Sequence, residues 1–374
     1  MKKWLLILSI TCLFSCNSNV DTIDISHIEK VNIEIAANDV YRSINFVPLE
    51  TKSECLLSNP SVFAINDSSV FIWDKDDVYR FSSSGKFRNR VGSYGKGYGE
   101  HGHINSVNYD RKRDALLLGS FDGAVYKYKS NGDFIGKSSL TFQKELLQTV
   151  RWNDAMDCMV CEIREYSEKG LNVHLQLVSF EGEKLKTFEI YSDNHNIPLN
   201  MLKSGMLRNS NEGVYFKLPF DNRLFFLSNN GLSVPLIFEQ GDAAPSRRDI
   251  EDMEYSAKTR LVKQRINNIV ITNENLYLSI EKAGKDYDVL INRDDNTIIH
   301  CSRIDRNKQI HLSLSDMKSF SFWPWVEHSG KCMDLISVED ISPEDLKKMG
   351  YEEIDINKPN MELNPILVIA CERK

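Results

Sequence analysis

Cys158 and Cys161 form a C-x-x-C, a spacing that can serve a redox disulfide or half of a zinc site. The surrounding Asp157-Cys158-Met159-Val160-Cys161-Glu162-Ile163 reads as a strand, however, and no second C-x-x-C exists in the sequence. Residues three apart on a strand point to opposite faces, so packing is the expected role of both thiols. His101-Gly102-His103 puts two imidazoles on one side of an extended segment, a pattern that could serve a metal. Beyond Glu100 no acidic or cysteine partner is fixed nearby, so neither a metal nor a cofactor is expected. Ser319-Phe320-Ser321-Phe322-Trp323-Pro324-Trp325 is the most ligand-like stretch. Exposed Trp and Phe would stack on a sugar or anchor a protein; burial in the core, or a plug over a channel, is the competing reading. The candidate ligand-contacting residues are therefore Trp323, Trp325, His101 and His103, and no residue is assigned a catalytic role.

Several familiar chemistries lack their motifs. Gly92, Gly95, Gly97 and Gly99 crowd one loop, but no G-K-[ST] and no helix signal follow, so a tight crossing is expected in place of a phosphate loop. Neither G-x-S-x-G nor H-E-x-x-H occurs, which removes the usual support for a serine hydrolase or a zincin. Asp74, Asp76 and Asp77, like Asp294 and Asp295, sit at turn positions where solvated Asp is ordinary, and no glycosidase pair can be picked from them.

The elements that must position these residues belong to a chain of 374 residues, 41% hydrophobic and 26% charged, which is globular composition. Forty-six Lys+Arg against 53 Asp+Glu give a net charge of −7, without the dense cationic footprint that nucleic-acid binding needs. Lys2 and Lys3 precede an apolar run from Trp4 to Leu13, long enough for the core of a signal peptide and too short to span a bilayer. The run ends at Leu13-Phe14-Ser15-Cys16, which resembles the lipobox of bacterial lipoproteins. That resemblance implies cleavage before Cys16, acylation of its thiol, and a stable lipid anchor. The expected organisation is a signal peptide over 1–15, a tether and N-terminal segment over 16–40, and one β domain over 41–374. The expected location is the cell envelope, most readily the periplasmic face of the outer membrane, because no acidic run follows Cys16. Export permits disulfides among the six remaining cysteines, but a chain this long does not need them.

Repetition points to the fold. Gly85, Gly132, Gly182 and Gly231 close tight turns after strand-like runs, at intervals of 47, 50 and 49 residues. Asn296 holds the corresponding place in a fifth unit, Asn being the usual substitute where a turn needs positive φ. Before each turn lie three apolar runs, as in Val62–Ile65, Val70–Trp73 and Val78–Phe81, so each unit reads as four strands. Units of 40–50 residues with four strands are the signature of a propeller blade. Five blades are visible and the stretch from about Leu312 to Cys371 supplies a degenerate sixth. The expected fold is an all-β, six-bladed antiparallel β-propeller, closed by Tyr41–Glu50 lying beside C-terminal strands. A helical insertion is expected over Ser246–Arg265, from its capping-box spacing, and a short helix over Ser342–Met349.

These residues carry a resemblance. Phe46-Val47-Pro48-Leu49-Glu50-Thr51, the hairpin Tyr79–Phe87 and the loop Gly92–Glu100, together with the lipobox, look like the six-bladed propeller lipoproteins of Gram-negative gut anaerobes, which are similar to NHL-type propellers. The chain departs from that pattern at Tyr98, where the family has proline, and at Ser82, where it often has Asp. The resemblance implies the fold and leaves the activity open. Two functional classes follow: an envelope module binding or scaffolding a glycan, a peptide or another envelope component, or a glycan lyase or hydrolase with its site at the central channel. The missing motifs favour the first.

Overall fold

The structure is a computed structural model that describes residues 20–140, 145–167, 170–193, 205–218, 221–244, 263–304, 312–314, 317–351 and 363–373. Cys16 and residues 246–262 of the expected helical insertion lie outside the described residues.

Two strands, β1 (Asp21–Asp24) and β2 (Tyr41–Pro48), flank the short helix α1 (Ala37–Val40) and precede the first blade. Blade 1 comprises β3 (Pro60–Ile65), β4 (Ser69–Asp74), β5 (Asp77–Ser82) and β6 (Phe87–Arg90). Blade 2 comprises β7 (Ile104–Asp110), β8 (Ala115–Ser120), β9 (Ala124–Lys129) and β10 (Phe134–Ser139). Blade 3 comprises β11 (Glu145–Asn153), β12 (Cys158–Ser167), β13 (Gly170–Val178) and β14 (Lys184–Asp193). Blade 4 comprises β15 (Met206–Asn209), β16 (Gly213–Lys217), β17 (Arg223–Ser228) and β18 (Gly231–Glu239). Blade 5 comprises β19 (Gln264–Ile271), β20 (Asn275–Lys282), β21 (Lys285–Asn292) and β22 (Ile298–Ile304). A separate hairpin, β23 (Leu312–Leu314) with β24 (Met317–Phe322), leads into blade 6, which holds β25 (Val326–His328), β26 (Lys331–Ile336) and β27 (Ile366–Glu372). Between β26 and β27 lies α2 (Pro343–Lys348), whose N-cap Ser342 accepts from the Asp345 amide, as the sequence signals. Because β19 begins at Gln264, the expected helix cannot run to Arg265.

The fourth strand of blade 6 is β2. It pairs antiparallel with β27 from Tyr41↔Glu372 to Pro48↔Ile366, so the two ends of the chain share one sheet. The innermost strands β3, β7, β11, β15, β19 and β25 each touch the next, and β25 touches β3, which makes the ring six-bladed and closed. Its core is divided among the seams between blades. On β8, Leu116 and Leu118 join the cluster between blades 1 and 2, while Leu117 joins the one between blades 2 and 3. Strand alternation thus feeds two cores from one strand, which is why the middle strand Ala115–Ser120 is buried throughout and opens with four apolar residues. The outermost strands β6 and β10 meet a neighbour on one face only and alternate with exposed residues. The last cluster brings Met333 and Leu367 of blade 6 against Val62 and Ile72 of blade 1, closing the circle.

Gly85, Gly132, Gly182 and Gly231 all have positive φ, and Asn296 takes φ 59°, the backbone requirement that its substitution for glycine implied. Beyond the expectation is the docking of the N-terminal segment. From Asp21 the chain runs parallel to β18 as a fifth strand on blade 4, and Ile23, Ile25 and Ile28 are buried between blades 4 and 5. Residues after Asp21 are therefore part of the ring and add nothing to the length of a tether.

Successive strands of a blade run in opposite directions, which defines two faces. Crossings between blades and second-to-third-strand turns share one, here the crossing face; first-to-second and third-to-fourth turns share the other, the turn face.

Candidate functional site

The glycine-crowded crossing from blade 1 to blade 2 walls a cavity of about 670 Å³ on the crossing face. The loop folds around its own acid: Glu100 Oε2 accepts from the Gly97 amide at 2.7 Å. A Cβ on Gly95 would come within 2.0 Å of the same oxygen, so this close approach needs glycine. Backbone bonds from the Gly95 amide to His101 O and from the His101 amide to Ser93 O brace the two arms of the loop.

Aromatic rings form the rim. Tyr98 is 95% exposed, Phe121 69% and Tyr94 55%. Tyr98 meets Phe134 edge to face with ring centroids 5.4 Å apart, and Tyr94 leans on His103 at 4.6 Å. Polar groups sit between the rings. His103 Nδ1 is 2.7 Å from Asp76 Oδ2, and its Nε2 is 3.2 Å from the Tyr94 hydroxyl. On the opposite wall the Tyr126 hydroxyl donates to Asp122 Oδ2 at 2.9 Å, and Lys137 Nζ reaches both, at 3.1 Å from the carboxylate and 2.9 Å from the hydroxyl. Burial pushes the Asp122 carboxyl up, but the bonds from Tyr126 and Lys137 outweigh it and hold the group below the usual carboxylate range. The cup thus offers flat apolar surfaces separated by fixed donors and acceptors, a combination suited to a ring with apolar faces and a hydroxylated edge.

The structure divides the expected ligand-contacting residues. His103 lines the cup. His101 stands behind it, fully buried, with Nδ1 2.9 Å from Gly102 O and its ring against Tyr126 and Tyr128. The two imidazoles therefore do not converge, and no metal-holding cluster is found among the described residues. Trp323 is a core residue of the seam between blades 5 and 6, edge-on to Tyr277 at 5.3 Å. Trp325, two residues on, is 51% exposed at the head of β25, also on the crossing face. Cys161 shares the face of Met159 in one seam while Val160 points into the next, which places Cys158 and Cys161 on opposite faces of β12. All six described cysteines are free. Phe121, Asp122, Tyr126, Phe134 and Lys137 were not singled out in the sequence. Their one visible signal is Phe121, a large apolar residue at the turn Ser120–Gly123, where solvent-facing polar types are usual.

No curated protein matches the sequence. Among solved structures, the chain is similar to a putative exported protein from Bacteroides fragilis, at 17% identity over 95% of this chain and all of that one, with a TM-score of 0.67. It is also similar to a member of the DUF4221 family from Bacteroides vulgatus, at 10% identity over 89% of this chain and 97% of that one, with a TM-score of 0.50. At such identities the likeness is one of fold. The match over residues 20–371, which takes in every blade and the closing strand, shows that the chain belongs to the family described as Domain of unknown function (DUF4934).

Proposed function

We propose that the protein is an exported, lipid-anchored binding module of the cell envelope and that its aromatic cup holds a glycan. The exposed aromatic rim around the Asp122–Tyr126–Lys137 group carries the reading. Tyr98 strengthens it: the ring stands at the position where the similar lipoproteins have proline, and it is almost wholly exposed, touching only the rim ring of Phe134 among the described aromatic residues. The putative exported protein among its structural neighbours agrees with the signal peptide read in residues 1–15.

The docked N-terminus sharpens the geometry of anchoring. Five residue steps separate Cys16 from Asp21, which at full extension spans about 17 Å. A lipid on Cys16 would hold the edge of blade 4 close to the bilayer. The cup lies at the seam of blades 1 and 2, whereas Ile23, Ile25 and Ile28 sit in the seam of blades 4 and 5, half-way round the ring. The binding site would thus open on the side remote from the anchor.

Binding is preferred to glycan cleavage because the cup's carboxylates are already committed: Glu100 to the loop amide, Asp122 to Tyr126 and Lys137. A general acid needs a carboxyl poised near neutral pH, and Asp122 is held in the other direction. The test is a thermal-shift screen of the wild type and Tyr98→Ala against glycans and peptides, with product analysis of each hit. A glycan that binds unchanged in structure, and roughly 10-fold more weakly to Tyr98→Ala at equal melting temperature, is expected. Peptide hits alone, or glycan affinity indifferent to Tyr98, would defeat the proposal, and released product would restore the lyase or hydrolase reading.

A further inference from the structure

The axis of the ring carries a charge cluster separate from the cup. Arg151 on β11 and Arg208 on β15 sit on the innermost strands of adjacent blades, and Arg111 follows β7 on the turn face. Several arginines have carboxylate partners: Arg113 with Asp110 and Asp157, Arg164 with Glu162, Arg223 with Asp221. Arg111, Arg151 and Arg208 form no ion pair among the described residues. Arg208 is held open by neutral groups, with Nε donating to Ile269 O at 2.6 Å and Nη2 to Asn268 Oδ1 at 2.5 Å. Arg151 Nε is buried with no hydrogen-bond partner among the described residues. Arg111 donates to the Ser329 hydroxyl, which lies 2.9 Å from His328 Nδ1.

The groups act on one another. Burial brings the Arg208 guanidinium down to about 9, and the nearby charge of Arg151 adds to the effect; burial alone brings Arg151 to about 10. Burial likewise drives His328 down to about 4, with further repulsion from Arg111, Arg151 and Lys331. At neutral pH the Arg151 and Arg208 guanidiniums are thus charged beside a neutral imidazole. Among the described residues no carboxylate acts on Arg151 or Arg208. Glu327, on β25, instead accepts from the Gly330 amide at 2.6 Å and faces a smaller cavity with Glu372.

Converging cations without counter-charge, one of them with an orphaned buried N–H, are costly to maintain in a folded protein. The guanidinium fork matches the oxygens of a carboxylate or phosphate. We propose that the turn-face end of the axis is an oxyanion site, in which Arg151, Arg208 and Arg111 hold the carboxylate or phosphate group of an acidic ligand. This site lies on the face opposite the glycan cup, so its fate is independent of that reading.

The experiment is calorimetric titration of the wild-type protein with sodium citrate and, separately, with sodium phosphate, at constant ionic strength against a sodium chloride control. Arg151→Gln and, as a surface control, Lys347→Gln on α2 are titrated alongside. Saturable binding by one of the two anions is expected, at least 10-fold weaker in Arg151→Gln and unchanged in Lys347→Gln; the tighter anion names the ligand's acidic group. At an anion concentration 100-fold above its Kd the wild-type melting temperature should rise by about 4 °C. Without anion, Arg151→Gln should melt at or above the wild type, because an unpaired desolvated charge has gone, whereas a purely structural arginine would lower it. If Arg151→Gln does not fold, Arg111→Gln, an exposed residue whose one side-chain hydrogen bond among the described residues is to Ser329, takes its place. No saturable binding above the chloride control, or equal affinity in wild type and the arginine variant, overturns the proposal.

Discussion

Glu327→Gln should stabilise the protein, and only at higher pH. Burial, reinforced by the Glu372 charge, pushes the Glu327 carboxyl from its ordinary 4.5 up to about 7, although the Gly330 amide bond pulls the other way. The folded protein therefore holds this proton more tightly than the unfolded chain does. The resulting stability is complete below pH 4.5 and is lost as pH rises to about 7; above that, the ionised carboxylate is a standing cost. At ~1.4 kcal/mol per pH unit, the interval amounts to about 3 kcal/mol. Gln keeps the Oε1 acceptor for the Gly330 amide, 2.6 Å away, and cannot ionise. At pH 8 the variant should gain up to about 3 kcal/mol, or about 4 °C in melting temperature for a chain of this length, and at pH 4.5 close to nothing. His328, next in sequence, has the opposite slope: its imidazole is held near 4, so its contribution is lost as pH falls from 6.5 towards 4. Both proteins share that contribution, and it cancels in the difference between their curves. Melting curves of the pair from pH 4.5 to 9 give the answer. A variant no more stable than the wild type at pH 8, or a difference that does not change with pH, refutes the account of Glu327 as a desolvated carboxylate.

Closure of the ring makes a harsher prediction. Deleting residues 41–50 removes β2, exposes β27 as an open edge, and takes out Tyr41, which is buried against Tyr277 and Phe322. Loss of one such aromatic costs about 3–5 kcal/mol, so loss of the whole strand should leave no cooperative melt near physiological temperature by circular dichroism. A truncated protein that melts like the full chain would break the closure argument. For the anchor, Cys16→Ala should abolish palmitate labelling and move the protein out of the detergent phase, because no described helix is long and apolar enough to cross a membrane. Label and membrane partition that survive the substitution would remove the lipid assignment.

The fold was legible because its physical demands repeat. Each of blades 1 to 5 needs a positive-φ turn between its third and fourth strands; four glycines at near-equal spacing answer that need in blades 1 to 4, and Asn296 answers it in the fifth. Middle strands covered on both faces read as unbroken apolar runs, as in Ala115–Leu118 and Val70–Trp73. The N-terminal docking was not legible for the same reason. Asp21–Asp24 pairs parallel with β18, a contact made once and far apart in sequence, with Ile23, Ile25 and Ile28 as its apolar marks among polar neighbours. A three-residue apolar signal in a charged stretch has no period to reveal it.

The two candidate sites fail to show in the sequence for different reasons, and the difference bears on how to find such sites elsewhere. The cup draws Tyr98 and His103 from a crossing loop, Phe121 and Asp122 from a hairpin turn, and Lys137 from an outer strand; only the ring brings them together. Local motif logic has nothing to match in such a set, and it favoured His101 and Trp323, whose rings the fold turned inward. The axial arginines are different, because their oddity is local. Val150-Arg151-Trp152 and Leu207-Arg208-Asn209 each put a permanent charge into the innermost strand of a blade, where the equivalent stretches of blades 1 and 5 are Phe63-Ala64-Ile65 and Ile269-Val270-Ile271. Once a propeller is recognised, its own repeats supply the reference state against which a charge at an inner-strand position stands out. A desolvated guanidinium with no carboxylate partner is unfavourable for folding alone, so its presence twice in adjacent blades is the observation that a ligand's oxyanion would explain.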